Sequence, residues 1–361
     1  MSDKKPVIMM IIGSLGAGGK ERQLILHLKA LKNQNEYSTV LVVVNPGGER
    51  EEEAAKYADD FIDIERRLRL NLLSVLSQLI RIKNQYQVDI VHSWGSGLWD
   101  LISLMVAKYS RTPFLHNGIQ SAPQKLSFSD HLTRFSALFA DDIVANSHAG
   151  LFAFGLTNHP KSKVIYNGMD FERFQDYAIT QENEDLCMVA NFREEKDHQT
   201  LIKAIPCIRK SIPSVRLYLV GHDYGTLEEN IKLVQDLRLE NNVTFVTDTL
   251  NPEPFIARSK ICLLATHGEG ISNVLLEYMA LKKPIIVSNN GGNPEVVEHG
   301  LNGYLVKPQS IEEICAKTIE LLTNQQIAAK MGLRGRKIVE EKFSIAKMEN
   351  EFCKIYDYLI K

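Results

Sequence analysis

Little in this sequence points to a membrane span, a metal or a nucleic acid. No stretch of its 361 residues is long and apolar enough to cross a bilayer. Cysteine is scarce, with Cys187, Cys207, Cys262, Cys315 and Cys353 scattered along the chain and no Cys-x-x-Cys spacing. That pattern argues against a zinc site and a disulfide framework. The five read as reduced, mostly buried thiols of a cytosolic protein. A net charge of −2 gives no overall pull toward nucleic acid or lipid. Low-complexity tracts and short-period repeats are missing too. The opening MSDKKPVIMMIIGSLGAGG sets Lys4 and Lys5 before an apolar run, as a signal peptide does. The run is short and ends in glycines, which fits a first buried strand better.

What is present is ordinary globular material, 44% hydrophobic and 24% charged. The length exceeds a typical single core, so two domains are expected. Apolar β-type runs alternate with helix-length segments from end to end. The first half carries VIMMII, TVLVVV, DIVHSW, TPFLH, DDIVANS and KVIYNG. The second carries LCMVANF, VRLYLVG, VTFVT, ICLLAT, PIIVSN and GYLVKP. Continuous apolar strands joined by helices predict parallel sheets covered on both faces, hence two Rossmann-like α/β domains. The polar stretch near 168–184 marks the break. The expected domains are 1–170 and 171–343, with an amphipathic helix at 344–361 returning to the first.

The densest chemistry lies in HGEGISNVLLEYMALKKPIIVSNNGG, where Glu269 and Glu277 have seven residues between them. Glu269 sits in a glycine-flanked loop after a buried strand. Ser272 or Asn273 is placed to cap the following helix, and Glu277 falls more than one turn inside it. First-turn backbone N–H groups at such a helix end form an anion seat. One acid at its mouth and another on its helix suit a sugar nucleotide, with diphosphate on the helix end and hydroxyls on the carboxylates.

A second glycine cluster, Gly13, Gly16, Gly18 and Gly19, follows the first strand. It fails as a P-loop, because Gly19 stands where lysine belongs and Glu21 follows Lys20. It fails as a dinucleotide fingerprint, because Glu21 replaces the third glycine and the second strand ends in Asn45 instead of an acid. A phosphate-binding loop and a tight strand–helix turn both remain open readings.

These residues together resemble the retaining family 4 (group 1) glycosyltransferases of GT-B architecture. The resemblance runs through Gly18-Gly19-Lys20-Glu21-Arg22, DIVHSW, VANSHAG, VIYNGMDFERF, VANFREEKDHQTLIKA, the glutamate pair and GGNPEVVEHGLNGYLV. It implies two facing Rossmann-like domains and a retaining transfer from a nucleotide-diphosphate sugar, UDP first and GDP second, to a saccharide or lipid-linked saccharide. No cofactor, metal or nucleic-acid partner is implied, and no Asp-x-Asp signature accompanies the motif. Arg193 and Lys196 become the cationic clamp, and the Gly18-Gly19 loop closes on the diphosphate. Backbone of Gly270, Ile271, Ser272, Asn273 and Val274 holds phosphate and sugar. Glu269 contacts the sugar or its leaving group, and Glu277 the ribose. Backbone near Thr247 and Asp248 reads the base. Many members carry arginine five residues before the clamp lysine, where this chain has Asn191. Arg193 is therefore either a displaced clamp or a solvated charge.

Three histidines end first-half strands, at His92, His116 and His148. Strand ends are where open α/β sheets bind ligands. His116 is the nominee for the catalytic side, and a hydrogen-bonded structural role is the alternative for each. Finally, IERRLRLNLLSVLSQLIRIKNQYQ flanks leucines with Arg66, Arg67, Arg69, Arg81 and Lys83. It reads either as a helix with its apolar face in the core or as a peripheral contact with anionic membrane. A cytoplasmic location, with peripheral attachment to the inner membrane face, accompanies the second reading. The rival functions are a GT-B sugar-nucleotide epimerase, a non-catalytic sugar-nucleotide sensor and an NAD-dependent oxidoreductase, the last disfavoured by the broken glycine pattern.

Overall fold

Alternate residues of the first strand serve two different cores. Val7, Met9 and Ile11 join one buried cluster, and Ile8, Met10 and Ile12 join another. A strand buried on both faces has no polar side to show, which explains the unbroken VIMMII. A computed structural model describes residues 4–64, 72–177, 184–247, 249 and 251–361. They form two compact units, Met1–Gly168 with Ile345–Lys361, and Met169–Ser344.

The first unit holds strands β1 (Val7–Ile12), β2 (Ser38–Val43), β3 (Asp60–Asp63), β4 (Ile90–Ser93), β5 (Phe114–Ile119), β6 (Asp142–Ala145) and β7 (Ser162–Val164). Every pairing is parallel, in the order β3-β2-β1-β4-β5-β6-β7. Helices Leu72–Tyr86 and Leu98–Ser110 cover one face through Val75, Leu79, Ile102 and Val106. Helix Gly19–Gln34 covers the other, together with Met348, Phe352, Ile355 and Tyr356 of the C-terminal helix Ile345–Ile360.

The second unit holds β8 (Glu184–Val189), β9 (Leu217–Val220), β10 (Val243–Val246), β11 (Ser259–Leu264), β12 (Ile285–Ser288) and β13 (Tyr304–Val306). The order is β10-β9-β8-β11-β12-β13, again all parallel. Each sheet reverses its strand order once, between β1 and β4 and between β8 and β11. Ligands of open α/β sheets bind beyond the carboxyl ends of the strands at such a reversal.

Three expectations meet a different structure. β3 was not anticipated: its DFID is short, with both aspartates exposed, as suits an edge strand. The expectation of five free thiols is corrected, because Cys207 and Cys315 are joined in a disulfide. Their helices, His198–Ser211 and Ile311–Thr323, pack together, bringing residues 108 apart in sequence to a Cα separation of 6.1 Å. Chain spacing carries no trace of that meeting. Cys187, Cys262 and Cys353 remain thiols, outside any disulfide. In the basic segment, Arg66, Arg67 and Arg69 lie outside the described residues. The described helix Leu72–Tyr86 turns Leu76, Ile80 and Ile82 onto the core, whereas Leu73 stays 72% exposed. Among the described residues no helix is long and apolar enough to cross a membrane.

Candidate functional site

The strand reversal of the second unit gathers the predicted charges. β8 ends at Val189, and the chain runs through Asn191, Phe192 and Arg193 to Lys196 before helix His198–Ser211 starts. β11 ends at Leu264 and leads to Glu269. The two loops are stitched together. His267 N–H donates to the Glu195 carbonyl at 2.9 Å, Asp197 N–H to the Ala265 carbonyl at 3.0 Å, and the Thr266 hydroxyl to the Glu195 carbonyl at 2.9 Å. This stitching puts the Lys196 ammonium in direct contact with the Glu269 carboxylate.

The glycine pair after β12 holds the Glu269 loop from its other side. Gly292 N–H donates to the Glu269 carbonyl at 2.8 Å. A Cβ on Gly291 would overlap that same oxygen, and one on Gly292 would overlap the Gly270 carbonyl. Gly291 also has φ +52°, a conformation L side chains avoid. Asn290 adds a side-chain bond to the Thr266 carbonyl at 2.5 Å, and Asn293 one to the Ser288 carbonyl at 2.8 Å. The run Asn290-Gly291-Gly292-Asn293 is thus the mould in which the glutamate loop is cast.

Helix Asn273–Ala280 follows that loop. Ser272 occupies its N-cap position, and its side chain makes no cap hydrogen bond there. A helix N-terminus carries a partial positive charge that favours anions. Ile271 and Ser272 are buried at 4% and 7% exposure, with Asn273 and Val274 half-buried behind them.

Charge in this corner is unbalanced. Lys196 pairs with the Glu269 carboxylate, and Arg193 lies close enough to act on the same ammonium. Burial, and then the Arg193 guanidinium, push the Lys196 ammonium down to about 7, against the pull of Glu195. The Arg193 Nε is buried without a hydrogen-bond partner among the described residues, and its guanidinium lies 4.6 Å from the centre of the Tyr224 ring. Two cations held near one another against their own repulsion have the chemistry to take up an anion.

Glu277 lies on the helix that follows this loop. It is 3% exposed and faces Arg173, at 3.5 Å. Arg173 also pairs directly with Glu253, itself 3% exposed. Sequence reading missed both partners. Arg173 lies in the polar, aperiodic FERFQDY segment, where one more charge carries no signal. Thr247 follows β10 and is half-buried, and Asp248 lies outside the described residues.

The remaining candidates belong to the first unit. Gly18 caps helix Gly19–Gln34 with extended backbone, and Lys20 Nζ reaches the Gly95 carbonyl beyond β4 at 3.3 Å. A Cβ at Gly13 would press on Trp99. His116 is fully buried. Gly118 N–H donates to its Nδ1 at 3.4 Å, and its Nε2 faces Asp100 at 3.6 Å. Burial alone would raise the Asp100 carboxyl. His116 and the hydroxyls of Ser93 and Thr133, at 2.7 and 2.8 Å, outweigh burial and hold it below its ordinary range. His116 thus sits inside a polar network beneath the strand ends. His92 is buried as well, at 2.7 Å from the Tyr356 hydroxyl, and His148 is exposed at a helix start.

Comparison with known proteins places this geometry. Residues 170–338 match the family model described as glycosyl transferases group 1. The chain is 30% identical over 240 residues to N-acetyl-alpha-D-glucosaminyl L-malate synthase of Bacillus anthracis, covering 63% of this chain and 62% of that one. It is 31% identical over 173 residues to a GDP-mannose-dependent alpha-(1-6)-phosphatidylinositol monomannoside mannosyltransferase of Mycobacterium tuberculosis, covering 45% and 44%. The matches thus span less than two thirds of these curated relatives. Among solved structures, Anabaena HepE in complex with UDP-glucose superposes with a TM-score of 0.84 at 20% identity, covering 98% of this chain and 99% of that one.

Proposed function

Because the chain belongs to the group 1 glycosyl transferases, we propose that it moves a sugar, with retention, from a nucleotide-diphosphate donor to a saccharide or lipid-linked saccharide during glycan assembly. The observation that carries this reading is the pairing of Lys196 with Glu269 beside Arg193, at the strand reversal and under a helix end. UDP-sugars are the first choice of donor and GDP-sugars the second. HepE was solved with UDP-glucose, and the mycobacterial relative is named for GDP-mannose.

The chemistry follows from charge. Breaking the anomeric C–O bond builds positive charge on the sugar and negative charge on the departing diphosphate. Groups fixed in advance at the departing end stabilise the transition state more than the ground state. Arg193, Lys196 and the first turn of helix Asn273–Ala280 take that role. The diphosphate engages the Lys196 ammonium, and Glu269 turns to the hydroxyls of the transferred sugar. Glu277, held by Arg173, receives the ribose. With two cations and a helix end supplied by the chain, the departure step runs without a metal ion. No side chain of this corner is assigned as a covalent nucleophile.

An apolar face supports a lipid-linked acceptor. Phe128, Phe135, Leu138 and Phe139, on and beside helix Phe128–Leu138, are 45–80% exposed, with Arg134 among them. Aromatic side chains bordered by cations suit an anionic bilayer surface. Flotation with phosphatidylglycerol vesicles tests that attachment, and a chain left in the soluble fraction rejects it.

The deciding experiment for the donor is thermal stability against UDP, GDP, ADP, NAD and their sugars, with and without EDTA. A ligand at a hundred times its dissociation constant adds about 2.7 kcal/mol. One nucleoside diphosphate should stabilise the protein equally with and without EDTA. No shift, or a shift with NAD alone, rejects the reading. Product analysis then separates transfer from epimerisation of the donor. Glu269→Ala, losing turnover but keeping nucleotide, separates an enzyme from a sensor.

A further inference from the structure

The position where the family resemblance expects arginine holds Asn191, and the structure gives that asparagine a different task. Its Oδ1 accepts from His222 N–H at 3.1 Å, tying the end of β8 to the loop after β9. The tie continues residue by residue. Phe192 N–H donates to the His222 carbonyl at 2.8 Å, and Tyr224 N–H donates to the Phe192 carbonyl at 2.9 Å. A Cβ on Gly221 would overlap the Ala190 carbonyl, so the two segments lie as close as glycine permits. Asp223 Oδ1 accepts from Gly225 N–H at 2.8 Å and Leu227 N–H at 3.2 Å, and Gly225 has φ +109°. The turn that carries Tyr224 is therefore rigid.

Its ring is used on one side only. The Arg193 guanidinium lies over it at 4.6 Å, yet Tyr224 remains 55% exposed. The Arg193 Nε is buried and finds no hydrogen-bond acceptor among the described residues. A guanidinium beside another cation has reason to swing away into water. The aromatic face counters that tendency, because its quadrupole attracts a cation without neutralising it, as a carboxylate would.

We propose that Tyr224 is a positioning residue: it holds the Arg193 guanidinium beside Lys196, so that an arginine two residues past its expected place serves the donor's diphosphate. This rests on the transferase reading of the site. Tyr224 and the Asn191 tether are together the local substitute for the missing arginine at 191. The ring touches the cation and takes no part in bond making.

The test uses the full chain and whichever of UDP and GDP stabilises the wild type more, with its monophosphate as control, read by titration calorimetry. Tyr224→Ala should weaken the diphosphate roughly fivefold, the size of one lost cation–π contact. It should leave the monophosphate, which lacks the β-phosphate, unchanged. Tyr224→Phe should match wild type. Arg193→Ala should weaken the diphosphate further, and adding Tyr224→Ala to it should cost nothing more. Equal losses for diphosphate and monophosphate, or additive losses in the double variant, would overturn the proposal. An Arg193→Ala effect with none from Tyr224→Ala would overturn it alone. No effect from Arg193→Ala, or no binding of either diphosphate by wild type, overturns the clamp reading and this inference with it. Thermal midpoints of the variants confirm that each is folded.

Discussion

The Tyr356 hydroxyl lies 2.7 Å from His92 Nδ1 and 2.7 Å from His27 Nε2, joining the C-terminal helix to β4 and to the first helix. His27 Nδ1 continues the chain to Glu349 at 2.8 Å. All four side chains are buried, so one oxygen satisfies two ring nitrogens that water cannot reach. Tyr356→Phe should therefore cost about 1–3 kcal/mol of stability, the usual penalty for a buried polar group left unpaired. Denaturant titration measures it, and a loss below the error of the method would show that the network is idle.

The same network predicts acid sensitivity. Burial, then the neighbouring His27 and His116, hold the His92 imidazole well below its ordinary range, so the folded protein keeps it neutral. Below about pH 6.5 the unfolded chain takes up a proton that the folded chain refuses, and stability falls as pH drops. His92→Asn removes the titrating ring, and its stability should depend less steeply on pH between about 6.5 and 5. Parallel pH profiles for variant and wild type would rule His92 out as the cause.

Lys196 predicts a limit on the alkaline side. Its ammonium is pushed down by burial and by Arg193, so it loses charge at lower pH than an exposed lysine does. Affinity for a nucleoside diphosphate should fall as pH rises through that titration. Arg193→Gln removes one of the two forces lowering it, and the alkaline fall should move to higher pH even though overall affinity is weaker. Binding measured from pH 6 to 10 tests this, and an unmoved limb would separate the two cations.

Gly291→Ala attacks Glu269 from behind. The new methyl meets the Glu269 carbonyl oxygen at a backbone angle that alanine adopts at a cost of about 1–3 kcal/mol. Turnover should drop at least tenfold, with a smaller loss of nucleotide affinity, because the displaced group is the one assigned to the sugar. Full activity in this variant would mean that the loop tolerates being moved.

Cys207 and Cys315 join two helices across 108 residues of chain. Cys315→Ser should lower stability by about 2–4 kcal/mol under oxidising conditions. Thiol alkylation followed by mass measurement should find three reactive cysteines in the unfolded, unreduced protein. Five would show that the bond does not form.

Much of this architecture could be read directly, because strands buried on both faces leave runs such as VIMMII and ICLLAT that have no other use. Glu269 and the Gly291-Gly292 pair stood out because their motif packs unusual residues into a short stretch, whereas Lys196 was reached only through the family resemblance. Other features left no local mark. β3 escaped because an exposed edge strand needs no apolar run. Arg173 and the two carboxylates it pairs with, Glu253 and Glu277, are far apart in sequence, and Arg173 lies in a segment that is polar for many reasons. The disulfide depends on two helices meeting. Tyr224 matters only because of a turn fixed by hydrogen bonds between distant strands. His116 was singled out at a strand end, yet its surroundings of Asp100, Ser93 and Thr133 emerge only when three elements converge.

The division of the chain into Met1–Gly168 with Ile345–Lys361, and Met169–Ser344, sets an order of events during synthesis. A ribosome releases the second unit as one uninterrupted stretch, able to close its core as soon as it emerges. The first unit begins earlier and finishes later, since Tyr356, Phe352 and Glu349 are translated only after the whole of its neighbour. Until then all seven strands of the first sheet are in place, but His27, His92 and the apolar face beneath them are without the cover of the C-terminal helix.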